Sequence, residues 1–207
     1  MTAYDALVVL DFEATCVEGG APDPQEIIEL PSVLVSLSER RVVDEFGSFV
    51  RPVHHPTLSP FCTQLTSITQ RDVDGAPTFV EVLAAHRAWL ASHDLFGDPP
   101  RFAFVTCGDW DLLRMLPRQL ATSSIDPRTL PEDYRRWINV KEVFTTTLAV
   151  RRAGGMTAML ETLKLPLEGR HHRGIDDCRN IARIVLALAA KGASFAFTRR
   201  VDLPDHA

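Results

Sequence analysis

The sequence predicts an α/β fold in which a mixed β-sheet, built from an antiparallel hairpin and parallel strands, is flanked by α-helices. Two apolar runs, Ala6–Leu10 and Phe102–Thr106, have the length and composition of buried strands. Ile27–Leu37 and Val42–Val50 flank a polar turn and predict the hairpin. Between the hairpin and the second buried strand, apolar residues recur at helical spacing over Thr78–Ser92. Strands and helices that follow one another in this order are typical of a sheet covered by helices.

The other elements follow from shorter patterns. Thr78 followed by Glu81 predicts a capping box at the start of the 78–92 helix. Further elements are predicted at Leu65–Ile68 (a turn or short helix), Leu112–Leu116 (helix), Trp137–Val140 (strand), Val143–Ala149 and Met156–Leu163 (helices), and about Ile175–Ala190 (a long helix). We therefore expect residues 1–197 to form a single domain, followed by a polar C-terminal tail, residues 198–207, that frays.

The composition is that of a globular protein, with 45% hydrophobic and 24% charged residues. The net charge of −5 is unevenly divided: residues 1–100 carry 5 basic against 15 acidic side chains, and residues 101–207 carry 17 against 12. This division is compatible with an acidic site and a basic surface on one molecule. The four cysteines lie far apart without a C-x-x-C pair, which argues against a zinc ribbon or a disulfide framework. With no signal peptide and no apolar run of about 20 residues, we expect a cytoplasmic protein without a membrane span.

Two carboxylates follow the first predicted strand, in the sequence Asp11-Phe12-Glu13. Residues two apart on a strand point to the same face, so both carboxylates can converge while Phe12 enters the core behind them. In open α/β sheets, functional sites lie at such strand ends. Oxygen ligands this close together suit Mg²⁺ or Mn²⁺. The alternative is an exposed acidic strand end without a function.

A second pair of acids, Asp109 and Asp111, follows the second buried strand. In one interpretation Asp109 is the N-cap of the next helix and Asp111 is a first-turn acid that complements the helix dipole. Because this strand ends beside the predicted position of Asp11 and Glu13, the other interpretation is that one of the two acids faces bound metal. The pattern by itself leaves the choice between Asp109 and Asp111 open.

A third polar group, His171, His172, Asp176 and Asp177, spans the loop into the last helix. Two His–Asp pairs of equal spacing are compatible with the sequence, His171 with Asp176 and His172 with Asp177. Asp177 precedes the apolar Ile181 by one helical turn, which places it on the buried side of the helix. A carboxylate there needs a partner that offsets its desolvation, and a metal is one. Asp177 is therefore the predicted ligand, and Asp176 the acid of the helix start.

Together the three segments offer four candidate metal-binding carboxylates and a loop histidine. The four are Asp11, Glu13, one of the pair Asp109 and Asp111, and Asp177. Four acids around two divalent ions are the arrangement expected for phosphodiester hydrolysis. One ion would activate water, and the other would stabilise the leaving oxygen. An imidazole titrates near neutral pH, so His172 is the candidate general base.

Five stretches of the chain resemble a known family. They are Asp11–Cys16 (DFEATC), Leu58–Phe79, Trp110-Asp111, Trp137–Lys141 (WINVK) and His172–Ile184 (HRGIDDCRNIARI). In this order they resemble the histidine-bearing (DEDDh) branch of the DEDD exonuclease superfamily, which has an RNase H-like fold and includes RNase T. Within that branch the chain is most similar to the Eri-type exoribonucleases, the enhanced-RNAi and histone-mRNA 3′-exonucleases.

The resemblance implies roles for individual residues. The positions that match the family's metal ligands are Asp11, Glu13, Asp111 and Asp177. Among these Glu13 is also expected to act in catalysis, and His172 matches the family's general base. The resemblance favours Asp111 over Asp109, because the family's acid follows an aromatic residue at this point.

The resemblance also implies contacts with substrate. Ala14 and Thr15 match backbone that touches the terminal nucleotide, Trp110 is near a position that packs against it, and His172 is expected to contact it as well. Six basic residues are candidates for RNA backbone contacts, with a solvated helix face as the alternative. These residues are Arg128, Arg135, Arg136, Lys141, Arg151 and Arg152.

The activity that the resemblance implies is 3′–5′ hydrolysis of single-stranded or 3′-tailed RNA, with two Mg²⁺ or Mn²⁺ ions and release of 5′-nucleotides. Two alternatives stay open. One is the same chemistry on DNA or on very short oligonucleotides, since no residue can be assigned to the 2′-hydroxyl. The other is a catalytically inactive RNA-binding scaffold. No separate nucleic-acid-binding domain is expected, and the oligomeric state is not predicted.

Overall fold

The computed structural model describes Tyr4, residues 6–97 and residues 101–202. Within these ranges seven strands form one sheet flanked by helices, which confirms the predicted fold class. The strands are β1 (Ala6–Leu10), β2 (Glu13–Ala14), β3 (Ile27–Ser36), β4 (Arg41–Phe49), β5 (Phe102–Thr106), β6 (Arg136–Asn139) and β7 (Arg199–Arg200). The α-helices are α1 (Pro60–Thr66), α2 (Gln70–Asp74), α3 (Phe79–Ser92), α4 (Leu116–Thr122), α5 (Val140–Leu148), α6 (Met156–Thr162) and α7 (Gly174–Ala190). A π-helix (Asp111–Met115) leads directly into α4, and 3-10 turns lie at Pro127–Thr129 and Glu132–Arg135.

Strand β3 is paired on both of its edges. Its last residue, Ser36, pairs with Ala6 on one side and with Arg41 on the other. Strands β1 and β2 pair with successive parts of one edge of β3, and β4 pairs with the opposite edge. On the other side of β1, β5 and β6 add in parallel and β7 adds antiparallel. The sheet order is therefore β4-β3-β1-β5-β6-β7, with β2 continuing the line of β1 after Asp11 and Phe12.

Both faces of the sheet are covered, because alternate residues of β1 enter two different cores. Val8 and Leu10 pack into a core shared with α3 and α4. Leu7 and Val9 pack into a second core shared with α5, α6 and α7. Burial on both faces explains why β1 is a continuous apolar run in the sequence. Among the described helices, none is both long enough and apolar enough to cross a membrane.

Local capping decides where two helices begin. Helix α1 begins at Pro60, earlier than the predicted Leu65–Ile68 element, because the Ser59 hydroxyl accepts a hydrogen bond from the Cys62 N–H at 3.0 Å. Helix α5 likewise begins earlier than predicted, because the Asn139 side chain caps it. The hairpin, the capping box of α3 and the long helix α7 are confirmed.

The expectation that the chain frays after Phe197 is wrong for residues 198–202. Arg199 and Arg200 form β7 on the edge of β6, and the Val201 N–H donates to the Arg135 carbonyl at 2.7 Å. A free strand edge offers backbone partners to any sequence, so the polar composition of this segment did not reveal the pairing. The remainder of the predicted tail, residues 203–207, lies outside the described residues.

Candidate active site

Three carboxylates converge where β1 ends. Asp11 follows β1, Glu13 opens β2, and Asp177 lies in the first turn of α7. One oxygen from each lies within 4.8 Å of the other two. Phe12 is buried in the core behind Asp11 and Glu13, as the strand alternation predicted. Three carboxylate oxygens at this separation fit one hard divalent cation such as Mg²⁺.

Asp111 adds a fourth carboxylate beside this group. It is buried at the start of the π-helix that follows β5. Its Oδ1 accepts a hydrogen bond from the Phe12 backbone N–H at 2.9 Å. Asp111 therefore fixes the chain between Asp11 and Glu13. The wide turn of a π-helix is rare, and where it occurs it is frequently at a functional site.

Asp109 has a structural role, and the interpretation of its side chain as a helix N-cap is wrong. Its Oδ1 accepts hydrogen bonds from Trp137 Nε1 at 3.0 Å and from Asn139 Nδ2 at 3.3 Å. Its Oδ2 lies 3.2 Å from Arg199 Nε. Asp109 thus ties the end of β5 to β6 and β7, and Asp111 is the acid of this pair that faces the other carboxylates.

Helical phase separates Asp177 from Asp176, in agreement with the sequence analysis. Asp177 is buried and belongs to the converging carboxylates. Asp176 is half-buried, accepts a hydrogen bond from the Arg170 N–H at 3.0 Å, and forms an ion pair with Arg179 at 3.1 Å. Asp176 therefore stabilises the loop that precedes α7.

The two loop histidines do not form the predicted side-chain pairs with Asp176 and Asp177. His171 Nδ1 lies 3.0 Å from Asp177 Oδ2, so His171 pairs with Asp177 rather than with Asp176. His172 contacts Asp177 through its backbone N–H, which donates to Oδ2 at 2.8 Å. The exposed His172 ring stacks on His171 with centroids 3.8 Å apart. His172 has a φ of 65°, a left-handed conformation that is uncommon outside glycine.

Glu29 is a buried carboxylate of this region that the sequence analysis missed. It lies opposite Glu13 in the pairing of β2 with β3. Its Oε2 accepts a hydrogen bond from the Gly174 N–H at 3.1 Å, and its Oε1 lies 3.4 Å from Arg173 Nε. Glu29 therefore anchors the start of α7 on β3. An acid inside an apolar strand is the signal that could have found it, since a buried charge needs partners.

Gly174 allows α7 to begin this close to the sheet. A Cβ at this position would lie 2.8 Å from Pro31 Cγ and 2.9 Å from the Asp11 carbonyl oxygen. Any other side chain would push the helix away from β1 and β3. Gly174, in the HRGIDD segment His172–Asp177, is thus required for the approach of Asp177 to Asp11.

Burial and mutual repulsion disturb the ionisation of the converging acids. Burial raises the pKa of Glu13 to about 9, and the nearby charge of Asp177 is the next cause. Burial and then the charge of Asp111 raise the pKa of Asp11 well above its usual range. Burial also raises the pKa of Asp177, which the hydrogen bond from His171 opposes. Carboxylates that repel one another in this way fit a site that a bound cation neutralises.

A cleft next to the acids contains Lys141, one of the basic residues considered for RNA contact. The cleft is lined in part by Asp11, Cys107, Lys141, His171, His172 and Asp177. The charge of Lys141 lowers the pKa of Asp111 against the larger effect of burial. Two other members of the basic set are already paired with neighbouring acids, Arg128 with Asp126 and Arg136 with Asp133.

The predicted substrate residues Ala14, Thr15 and Trp110 lie next to the acids in the sequence. Ala14 is buried in β2 and pairs with Ile27. The backbone N–H of the buried Thr15 donates to the Glu26 carbonyl at 2.8 Å, and its hydroxyl accepts from the Glu26 N–H at 2.9 Å. Trp110 is 40% exposed directly before Asp111. An exposed aromatic ring is suited to stacking on a nucleobase.

Comparisons with known proteins identify relatives of this chain. The sequence pattern of the exonuclease family (RNase_T) matches residues 8–185. The human "ERI1 exoribonuclease 3" is 40% identical over 197 residues, which are 95% of this chain and 57% of that protein. The chain thus spans a little more than half the length of this curated relative.

Two solved structures show the same fold. The nuclease domain of 3′hExo, described as a DEDDh family member bound to rAMP, has a TM-score of 0.90 at 35% identity, covering 96% of this chain and 98% of that one. The second is a 3′-exonuclease in a structure described as 3′-end specific recognition of a histone mRNA stem-loop. It has a TM-score of 0.91 at 34% identity, and the match covers 97% of this chain and 69% of that one. The DEDDh type implies the use of a divalent metal. The chain therefore belongs to the exonuclease family, and its structural relatives include DEDDh members of that family.

Proposed function

We propose that this chain is a metal-dependent 3′–5′ exoribonuclease, which removes 5′-nucleotides from the 3′ ends of single-stranded or 3′-tailed RNA. The observation that carries the proposal is the convergence of Asp11, Glu13 and Asp177 within 4.8 Å, with Asp111 attached to Phe12 beside them. These acids come from three separate parts of the chain that the sheet brings together. Because one sheet includes strands from both ends of the chain, we propose a single exonuclease domain.

The chemical nature of the side chains at this site suits divalent metal ions. All the donors are carboxylate oxygens, which Mg²⁺ and Mn²⁺ prefer. Asp11, Glu13 and Asp177 would hold one ion, and Asp111 extends the set toward a second. When bound, the two ions would lower the pKa of the attacking water and offset the charge that develops on the leaving oxygen.

His172 is suited to accept the proton of the attacking water. Burial, and then the neighbouring His171, lower its pKa, so the imidazole is neutral at pH 7. The Asp177 carboxylate holds the backbone of His172 at 2.8 Å, which fixes the loop next to the carboxylates. The His172 ring lines the same cleft as Asp11 and Asp177, so it can approach a substrate bound in that cleft without a change in the fold.

RNA is the favoured substrate because of the relatives and because of the surroundings of the acids. The relatives named above are described as exoribonucleases, or as bound to a ribonucleotide or an mRNA stem-loop. In this chain the exposed Trp110 would stack on a terminal base, next to backbone at Ala14 and Thr15. Lys141 lines the same cleft as Asp11 and Asp177, and it would contact a backbone phosphate.

The proposal is tested by digestion of 5′-labelled substrates with Mg²⁺ or Mn²⁺, and with EDTA as a control. The panel contains single-stranded RNA, stem-loop RNA with a 3′ tail, and single-stranded DNA of matched sequence. We expect a ladder that shortens from the 3′ end, faster on RNA than on DNA, absent in EDTA and lost in Asp11→Asn. Asp74→Asn is the carboxylate control, because Asp74 is exposed on α2 and does not belong to the acid group. Faster digestion of DNA would reassign the substrate, and intact substrates throughout would indicate a scaffold protein.

A further inference from the structure

A second group of metal ligands overlaps the carboxylate site. His171, His172 and Asp177 each offer one ligand atom, and these three atoms lie within 4.8 Å of one another. His171 Nδ1 is 3.0 and 3.1 Å from the two oxygens of Asp177. The His172 ring stacks on the His171 ring with centroids 3.8 Å apart.

The chemistry of this group differs from that of the carboxylates. Two imidazole nitrogens and one carboxylate oxygen suit Zn²⁺ and similar transition ions, whereas Mg²⁺ prefers oxygen alone. Three protein ligands leave one position of a tetrahedral zinc ion open to water, which the exposure of the loop permits. The side chain of His171 is 39% exposed, and that of Asp177 is 5% exposed.

From this arrangement we infer that His171, His172 and Asp177 form a binding site for a Zn²⁺-like transition-metal ion, and that this ion inhibits the enzyme. Asp177 belongs to both ligand groups, so an ion on the histidines competes for a carboxylate that the Mg²⁺ site needs. The same ion would occupy the imidazole of the proposed general base. The inhibitory effect rests on the proposed function, whereas the binding of the ion does not.

The charges around the loop are compatible with a bound cation. Asp11 and Glu13 lie next to Asp177 and attract a positive ion. Lys141 lines the same cleft and opposes it.

Direct zinc binding tests the site without any nuclease assay. Metal-free protein is titrated with Zn²⁺ in competition with a chromophoric zinc chelator. We expect wild type and the surface control His54→Ala to bind with the same affinity, and His171→Leu to bind at least about tenfold more weakly. Glu13→Gln removes a ligand of the carboxylate group only, so it should stay closer to wild type than His171→Leu does.

The comparison of these variants decides the proposal. It is overturned if wild type binds no Zn²⁺, or if His171→Leu loses less affinity than Glu13→Gln, since zinc would then occupy the carboxylates. His171→Asn, a polar replacement, serves as the second variant, and circular dichroism establishes that each variant is folded.

Inhibition is then measured with RNA at saturating Mg²⁺ and increasing Zn²⁺. The Zn²⁺ concentration that halves the rate should rise at least about tenfold in His171→Leu relative to wild type. An unchanged value would overturn the inhibitory role. If wild type digests no RNA at all, the proposed function fails, and the chelator titration still decides whether the ion binds.

Discussion

Strand β3 carries residues of two buried polar clusters, one made of acids of like charge and one made of neutral hydrogen-bonded groups. At one end, Glu29 lies opposite Glu13 and beside the converging carboxylates. Further along the strand, the Ser32 hydroxyl lies 3.0 Å from Nε2 of the buried His86, whose Nδ1 lies 2.9 Å from the Tyr134 hydroxyl. Neutral imidazole offers one donor and one acceptor, and either hydroxyl can serve as the complement.

The difference distinguishes a structural polar cluster from a ligand site. Burial lowers the pKa of His86 to about 3, so the ring stays neutral and both nitrogens have partners within the protein. Burial instead raises the pKa of Glu13 to about 9 and leaves it among acids of the same charge. A satisfied neutral cluster stabilises the fold, whereas carboxylates gathered against their own repulsion indicate an external cation.

The largest expected effect is the loss of catalytic activity when the proposed general base of the carboxylate site is removed. His172→Ala should lower the turnover number on RNA by roughly 10²–10⁴-fold, the usual contribution of an acid–base group. Its thermal stability should stay close to wild type, because its ring is exposed. The measurement is steady-state digestion of labelled RNA, with His54→Ala as the surface control. Equal rates for the two variants would remove His172 from the mechanism.

Loss of His86 should act on stability instead of chemistry. His86→Leu leaves the Ser32 and Tyr134 hydroxyls without their partner, at a cost of about 1–3 kcal/mol for each buried hydroxyl that stays unpaired. Urea unfolding measures the change in the free energy of unfolding. Adding Ser32→Ala and Tyr134→Phe to this variant should restore part of the loss, because the unpaired groups are then removed. A triple variant less stable than His86→Leu would show that the hydroxyls find other partners.

The same histidine predicts how stability depends on pH. At pH 5 the unfolded chain binds a proton at His86, since the ordinary pKa is 6.5, but the folded protein does not. The unfolded state therefore binds more protons, and the free energy of unfolding falls as pH falls from about 6.5 toward 3, by up to about 1.4 kcal/mol per pH unit. His86→Gln, which does not titrate in this window, should show a shallower slope in urea unfolding. Identical slopes would mean that His86 is protonated in the fold.

The smallest expected effect concerns the acids in the absence of metal. The pKa of Glu13 is raised from 4.5 to about 9, so its contribution to stability is lost as pH rises through that window. In EDTA at pH 8, Glu13→Gln should therefore melt a few degrees above wild type. In Mg²⁺ wild type should gain more than the variant, because it keeps the complete ligand set. If Glu13→Gln melts below wild type in EDTA, the proposed repulsion between Glu13 and the neighbouring acids is contradicted.

Much of the candidate site could be predicted from local sequence. Asp11 and Glu13 lie together because strand alternation puts both on one face of the chain. Asp177 was separated from Asp176 by its helical phase relative to Ile181. Both inferences use short-range geometry, which the backbone imposes wherever the segment lies in the fold.

Two of the contacts that escaped the sequence analysis join distant segments, and a third depends on the turn of one loop. Phe12 bonds to Asp111 across 99 positions, and Glu29 bonds to Gly174 across 145. His171 pairs with Asp177 across a left-handed turn at His172, which the sequence analysis did not predict. Such contacts depend on which strands are neighbours in the sheet and on how a loop turns.

The sequence by itself determined the fold class, the strand ends that carry the acids and the face of α7 that presents Asp177, because hydrophobic periodicity and residue spacing are local properties. Only the tertiary structure showed that Asp109 binds Trp137, Asn139 and Arg199, that Glu29 anchors α7 and that His171 pairs with Asp177. It also showed that residues 199–200 complete the sheet. These outcomes depend on the packing of helices and strands against one another, which places side chains together regardless of their distance along the chain.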